Sequence, residues 1–145
     1  MACPLLCIPK KDGTLRTVVD AQQQNANTVL DVMPMPDMRF LMDSLAHNNY
    51  WLKIDMTDAY EQVRVEPDCI LLTAFSVPWG IYVSNVLQQG DCNGPSTFQC
   101  VMTWTLREHI GHAVHTWIND ILVGTKSVAN HNEKLFWVHD RLKTE

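Results

Sequence analysis

The chain has 145 residues, one domain's worth. Chains of that size bury about two-thirds of their unfolded surface in one core, which leaves no room for a solenoid, a two-domain dehydrogenase or a barrel of ordinary size. Hydrophobic residues make up 46% and charged residues 19%, and no apolar run approaches the ~20 residues of a bilayer span, so disorder and a transmembrane helix are both excluded. The net charge is -5, from 11 Lys and Arg against 16 Asp and Glu, which argues against a nucleic-acid clamp held by charge alone.

Leu5, Leu6 and Ile8, then Leu15, Val18 and Val19, flank Lys10-Lys11-Asp12-Gly13-Thr14 and predict a β-hairpin turning at Asp12-Gly13. Lys10, Lys11 and Arg16, with only Asp12 as a counter-charge among them, make this hairpin a basic finger on an acidic body. Gln22 to Asn27 reads as a polar connector and Met33-Pro34-Met35-Pro36 as a break. Asp37 is then the expected N-cap of a helix whose apolar face is Met38, Leu41, Met42 and Leu45. Tyr50 to Asp55 is a predicted strand ending at a carboxylate, with the pattern changing toward Asp58, Ala59 and Tyr60.

Val63 and Val65 alternate with Arg64 and Glu66 before Pro67, and two further strands are predicted from Thr73 to Val77 and from Ile81 to Leu87. Gly94-Pro95-Ser96 opens the clearest helix, with Phe98, Val101, Met102, Thr105, Leu106 and His109 on its apolar face and Gly111 as its stop. Its expected length is about four turns. Val114 to Ile118 and Ile121 to Val123 predict a hairpin interrupted by Asn119-Asp120, a pair that tolerates positive φ. Leu135, Val138 and Leu142 predict a last amphipathic helix.

Cys3, Cys7, Cys69, Cys92 and Cys100 are odd in number and include no Cys-x-x-Cys pair, which reads as reduced thiols of an intracellular protein, cytoplasmic or nuclear. No basic segment or small-residue cleavage site marks a signal peptide, and the chain reads as one that begins inside a fold, as an excised fragment does. His109, His112 and His115 are spaced by three, with His131 and His139 downstream, a spacing that suits a metal on one helix. Gly111 interrupts that helix and His115 falls in a predicted strand, so unrelated histidines are the better reading.

The order strand, Asp55, helix, two strands, helix, then a hairpin tipped by Asn119-Asp120 lets two carboxylates from distant positions converge on a sheet surface. A hard divalent cation needs such an oxygen cluster, and Mg²⁺ binds through one or two carboxylates plus substrate phosphates. Taken alone, the two aspartates are better explained as ordinary turn residues.

Five blocks resemble those of a reverse transcriptase from a gypsy-type LTR retrotransposon polyprotein, and they occur in that family's order. They are Pro9-Lys10-Lys11-Asp12-Gly13, Arg16-Thr17-Val18-Val19-Asp20, Lys53-Ile54-Asp55-Met56-Thr57-Asp58-Ala59-Tyr60, Gln88-Gln89-Gly90-Asp91-Cys92-Asn93 and Pro95-Ser96-Thr97-Phe98-Gln99. The resemblance implies an α+β fold: a polymerase palm, with an antiparallel, ferredoxin-like sheet and helices packed on one face, together with partial fingers and no thumb. It implies one domain over 1–145, fingers mainly in 1–50 and 67–92, palm mainly in 51–66 and 93–145. The implied reaction is Mg²⁺-dependent, template-directed deoxynucleotidyl transfer, with Mn²⁺ as a substitute and with an RNA or DNA template-primer and dNTP as partners.

By the same resemblance Asp55 and Asp120 are the catalytic carboxylates and metal ligands. Lys10 and Arg16 hold the triphosphate, with Lys11 a neighbouring candidate because the turn length shifts the match by one. Guanidinium and ammonium groups suit phosphate for different reasons, one bidentate and one a compact charge. Backbone amides around Asp58 and Ala59 face the triphosphate, the Tyr60 ring lies under the sugar and excludes a 2′-hydroxyl, and Gln89 lies near the sugar and template.

The second catalytic motif departs from the family. Where it carries Tyr-x-Asp-Asp, this chain reads Trp117-Ile118-Asn119-Asp120, so Asn119 replaces a carboxylate. An amide has one neutral oxygen and two donors and cannot supply the missing charge. Gln22 stands where arginine is common, Leu72 where lysine is common and Trp117 where tyrosine is usual. Impaired polymerisation is therefore expected, aggravated by the absence of the thumb, with self-association through surfaces that the thumb would cover. The alternatives are a non-catalytic, domesticated nucleic-acid- or protein-binding module, or residual metal-dependent nuclease activity.

Overall fold

The computed structural model describes residues 2–144. In chain order these form β1 (Cys3–Pro9), β2 (Leu15–Val19), α1 (Gln22–Asn25), α2 (Met38–Ala46) and β3 (Tyr50–Asp55). Two 3-10 segments follow, Tyr60–Gln62 and Pro67–Thr73, and then β4 (Phe75–Val77), β5 (Gly80–Tyr82), α3 (Gly94–Thr105), β6 (Val114–Trp117), β7 (Asp120–Thr125) and α4 (Val128–Thr144). The chain divides into two compact units, Met1–Asp31 with Asp58–Gly94, and Val32–Thr57 with Pro95–Glu145. Segment 32–50, read from the sequence as fingers, belongs to the second unit, and segment 58–66, read as palm, belongs to the first.

In the first unit, β1 and β2 form the predicted antiparallel hairpin, with Leu5 opposite Val19 and Pro9 opposite Leu15. Asp12 fixes the turn, its Oδ1 accepting from Thr14 N at 3.0 Å and from the Thr14 hydroxyl at 2.7 Å. The sheet order is β2-β1-β4-β5, with β4 parallel to β1 and antiparallel to β5. Cys3, Val19 and Ala21 are buried in its core, and Leu5 and Phe75 pack against them.

The polar stretch predicted as a connector is helical at Gln22–Asn25. Tertiary hydrogen bonds hold it: Asn25 Nδ2 donates to Gly90 O at 2.8 Å, Asn25 Oδ1 accepts from Cys92 N at 3.0 Å, and Gln24 Nε2 donates to Leu72 O at 2.7 Å. The strands expected over 73–77 and 81–87 are shorter than predicted, because the Thr73 hydroxyl bonds Ser84 O and N in place of a ladder. Beyond them Val65 N donates to Asn85 O and Leu87 N to Val63 O, so 85–87 pairs with the alternating 63–65 segment.

In the second unit, the antiparallel sheet β3-β7-β6 is backed by helices, as expected. The central strand β7 is buried from Ile121 to Thr125. Leu41, Leu45, Phe98, Met102, Leu106, Val114, Ile121, Val123 and Val138 are buried in the same unit, and each large apolar side chain so placed contributes ~1.5–3 kcal/mol of hydrophobic stabilisation.

Asp37 caps α2 as predicted, its Oδ1 accepting from Arg39 N at 2.9 Å. Only Leu41 and Leu45 of the predicted face are buried, whereas Met38 and Met42 are exposed. α3 ends at Thr105, before Leu106 and His109, since the backbone tightens to Arg107 N donating to Trp104 O and His109 N to Leu106 O. Among the described residues no helix is long and apolar enough to cross a membrane.

Candidate active site

Pairing of β3 with β7 sets Tyr50 opposite Thr125 and, six residues along, Asp55 opposite Asp120. Two carboxylates far apart in sequence are thereby cross-strand partners at one end of the sheet. Like charges directly opposite each other destabilise a ladder, and two side chains offset this. Lys53, two residues before Asp55 and so on the same strand face, places Nζ 2.8 Å from Asp120 Oδ2. Asn119 Nδ2 donates to Asp55 Oδ1 at 2.9 Å. The hydrogen bond from Lys53 to Asp120 is the main reason that the Lys53 ammonium titrates above its ordinary range, helped by the charges of Asp120 and Asp55.

With Trp117 opposite Asp120, the two-residue turn consists of Ile118 and Asn119. Positive φ was expected at Asn119-Asp120; it falls instead on Ile118, at 53°. A β-branched residue in that region is strained, and its surroundings hold it there. Ile118 N donates to Gln99 Oε1 at 2.8 Å, and Gln99 Nε2 donates to the Thr116 hydroxyl at 2.9 Å. On the other side of the turn, Met56 N donates to Asn119 O at 3.0 Å. Lys53 and Gln99 both lie within the quoted motifs, but their roles depend on register and burial, which the motifs do not display.

The donor set suits one hard divalent cation. Asp55 and Asp120 present paired oxygens near the surface, where solvent or substrate phosphates complete an octahedral shell. It is short of charge for two such ions, because position 119 offers an amide. Among the described residues no group of three or more His, Cys, Asp or Glu is arranged for a metal. The histidines have separate partners: His109 stacks edge-on against Trp137 at 4.3 Å, and His115 Nε2 lies 3.0 Å from the Ser44 hydroxyl.

The remaining candidate residues lie in the first unit. Lys10, Lys11 and Arg16 are exposed on the β1–β2 hairpin, Arg16 opposite Ile8. Asp58 has a φ of 50°, Ala59 is buried, and Glu61 N and Gln62 N donate back to Asp58 O and Ala59 O, which turns the chain into the 3-10 segment that begins at Tyr60. The Tyr60 ring lies against Gly94, where a Cβ would stand 3.1 Å from Cε1, and burial pushes its hydroxyl pKa up. Gln89 O accepts from Val19 N at 3.3 Å. Gly90 follows because a Cβ there would lie 2.3 Å from Val19 O.

The family model described as reverse transcriptase (RNA-dependent DNA polymerase) matches residues 8–145. The chain is 33% identical over 137 residues to the retrovirus-related Pol polyprotein from transposon opus of Drosophila melanogaster, covering 91% of this chain and 14% of that polyprotein. It is 31% identical over 142 residues to the transposon Tf2-3 polyprotein of Schizosaccharomyces pombe, covering 98% of this chain and 11% of the relative. The chain thus spans a small part of the length of these relatives. The foamy viral protease-reverse transcriptase in complex with double-stranded DNA is similar in structure, with a TM-score of 0.90, 25% identity, and coverage of 99% of this chain and 25% of that one. The same viral enzyme in complex with an RNA/DNA hybrid gives a TM-score of 0.86 at 25% identity, over 98% of this chain and 19% of that one. With residues 8–145 matched, through both aspartates and every quoted motif from Pro9 onward, the chain belongs to the reverse transcriptase family, in the company of retrotransposon polyproteins.

Proposed function

We propose that this chain is the fingers-and-palm portion of an RNA-directed DNA polymerase, and that Asn119 leaves its nucleotidyl transfer severely impaired. The carrying observation is the strand register that sets Asp55 opposite Asp120. These two carboxylates would hold Mg²⁺, or Mn²⁺ in its place, and a bound cation there supplies charge stabilisation to the attacking and leaving oxygens. The primer 3′-hydroxyl attacks the α-phosphate of the dNTP and pyrophosphate leaves.

The chain's own groups orient that exchange. Lys10 or Lys11 and Arg16 neutralise the triphosphate, one ammonium as a point charge and the guanidinium as a two-pronged donor. The backbone around Asp58 and Ala59 supplies amides to it. Tyr60 lies beneath the sugar and rejects a 2′-hydroxyl by bulk, and Gln89 lies beside the sugar and template. A template-primer as partner is supported by the foamy viral relative, whose structures hold double-stranded DNA and an RNA/DNA hybrid.

A second reading, a nucleic-acid-binding module without catalysis, is favoured by Lys53 and Asn119, which engage both carboxylates. Fluorescence anisotropy of a labelled RNA/DNA primer-template, with and without the dNTP complementary to the next template base, tests the binding roles. The dNTP is expected to tighten the complex, and Arg16→Ala to weaken that tightening about tenfold, the worth of a lost charge-assisted hydrogen bond. The same dNTP response in Arg16→Ala and the unaltered chain would remove Arg16 from the nucleotide site.

A further inference from the structure

Each carboxylate of the pair already has a partner from within the chain, one of them a cation. Register forces Asp55 to face Asp120, and a site built solely for added cations would leave that repulsion standing whenever no cation is present. Here Lys53 Nζ reaches Asp120 Oδ2 at 2.8 Å, and Asn119 Nδ2 reaches Asp55 Oδ1 at 2.9 Å. Both contacts need the residue types present. An aspartate at 119 has no donor for Asp55 at neutral pH and would add a third negative charge to the cluster.

We propose that Lys53 is the resident counterion of this site, standing at Asp120 in the position of charge that a divalent cation would otherwise take, so that metal must displace it. The inference deepens the proposed function and rests on the reading of Asp55 and Asp120 as metal ligands. Lys53 is reachable for this exchange, its side chain 50% exposed and that of Asp120 24%. A half-exposed ion pair of this kind is weak and easily opened. Asn119 and Lys53 then act together: the amide removes a ligand charge, the ammonium balances one of the two that remain, and the cluster keeps its geometry without metal.

Titration calorimetry with MnCl₂ alone, without nucleotide or nucleic acid, paired with melting curves at several Mn²⁺ concentrations, tests this. Lys53→Met is expected to tighten Mn²⁺ binding about fivefold or more and to lower the metal-free melting temperature, whereas Lys53→Arg, which keeps the charge, leaves the affinity within twofold. Asn119→Asp is expected to melt lower than the unaltered chain without metal and to gain more from Mn²⁺. If Asn119→Asp binds Mn²⁺ while folded Lys53→Met binds no tighter than the unaltered chain, the counterion role of Lys53 is wrong and the ligand assignment stands. If neither variant binds Mn²⁺ and Asp55→Ala changes nothing, both fall. Should Lys53→Met fail to fold, Lys53→Gln replaces it under the same two criteria.

Discussion

Gln99 is 1% exposed and spends both ends of its amide on the β6–β7 hairpin, accepting from Ile118 N and donating to the Thr116 hydroxyl. It touches neither aspartate and acts as a positioning residue, holding Ile118 in its strained conformation and so aiming Asn119 and Asp120. Gln99→Leu keeps the volume but strands a backbone N–H and a hydroxyl. We expect a loss of about 1–3 kcal/mol in urea unfolding, and a loss below about 0.5 kcal/mol would show that the turn holds itself. His115 makes a second prediction. It is buried, and its pKa is held below the ordinary 6.5 first by burial and then by the charge of His112. The folded state therefore favours the neutral ring, while the unfolded chain takes up a proton near 6.5. Stability from this residue is complete above that pH and is lost as pH falls through the folded value. The melting temperature is expected to drop between pH 7.5 and 5.5, and His115→Gln to flatten that drop.

Helix α2 shows what local chemistry contributes by itself. Asp37 was legible as an N-cap from its place after Pro36 and before the apolar repeat, and its carboxylate does accept from Arg39 N. Asp37→Ala is expected to cost about 1 kcal/mol, read as a shift of the urea midpoint with the slope unchanged. β3 was legible to the residue, and the first hairpin was legible as a hairpin turning near Asp12-Gly13, because alternation and a turn pair are local signals. α1 was not legible, since its polar residues become helical only through partners at Leu72, Gly90 and Cys92. β4 and β5 came out short for a related reason, a single hydroxyl at Thr73 taking the place of ladder bonds. The positive φ falls on Ile118 and not on the Asn119-Asp120 pair because register, which the sequence does not display, decides which two residues make the turn.

Across the whole molecule the basic hairpin and the carboxylate pair fall in different units of the chain. The hairpin cations Lys10, Lys11 and Arg16 sit in the first unit, and the carboxylates with Lys53 sit in the second. Asp55 and Asp120 were legible as a candidate pair from strand order and from the resemblance to reverse transcriptases. Lys53 was not, since its partner is 67 residues away and is brought near only by β3–β7 pairing. We infer that Asn119, standing where the family carries a carboxylate, is what limits nucleotidyl transfer by this chain.

Primer extension on an RNA template in Mg²⁺ and in Mn²⁺ tests this, comparing the unaltered chain with Asn119→Asp and with Asn119→Asp carrying Asp55→Ala. Restoring the carboxylate is expected to raise extension by ~100-fold or more, the equivalent of about 2.7 kcal/mol in the barrier, and Asp55→Ala is expected to abolish the gain. Extension by the unaltered chain equal to that of Asn119→Asp would show that Asn119 is not limiting, and a gain that survives the loss of Asp55 would remove Asp55 from the site.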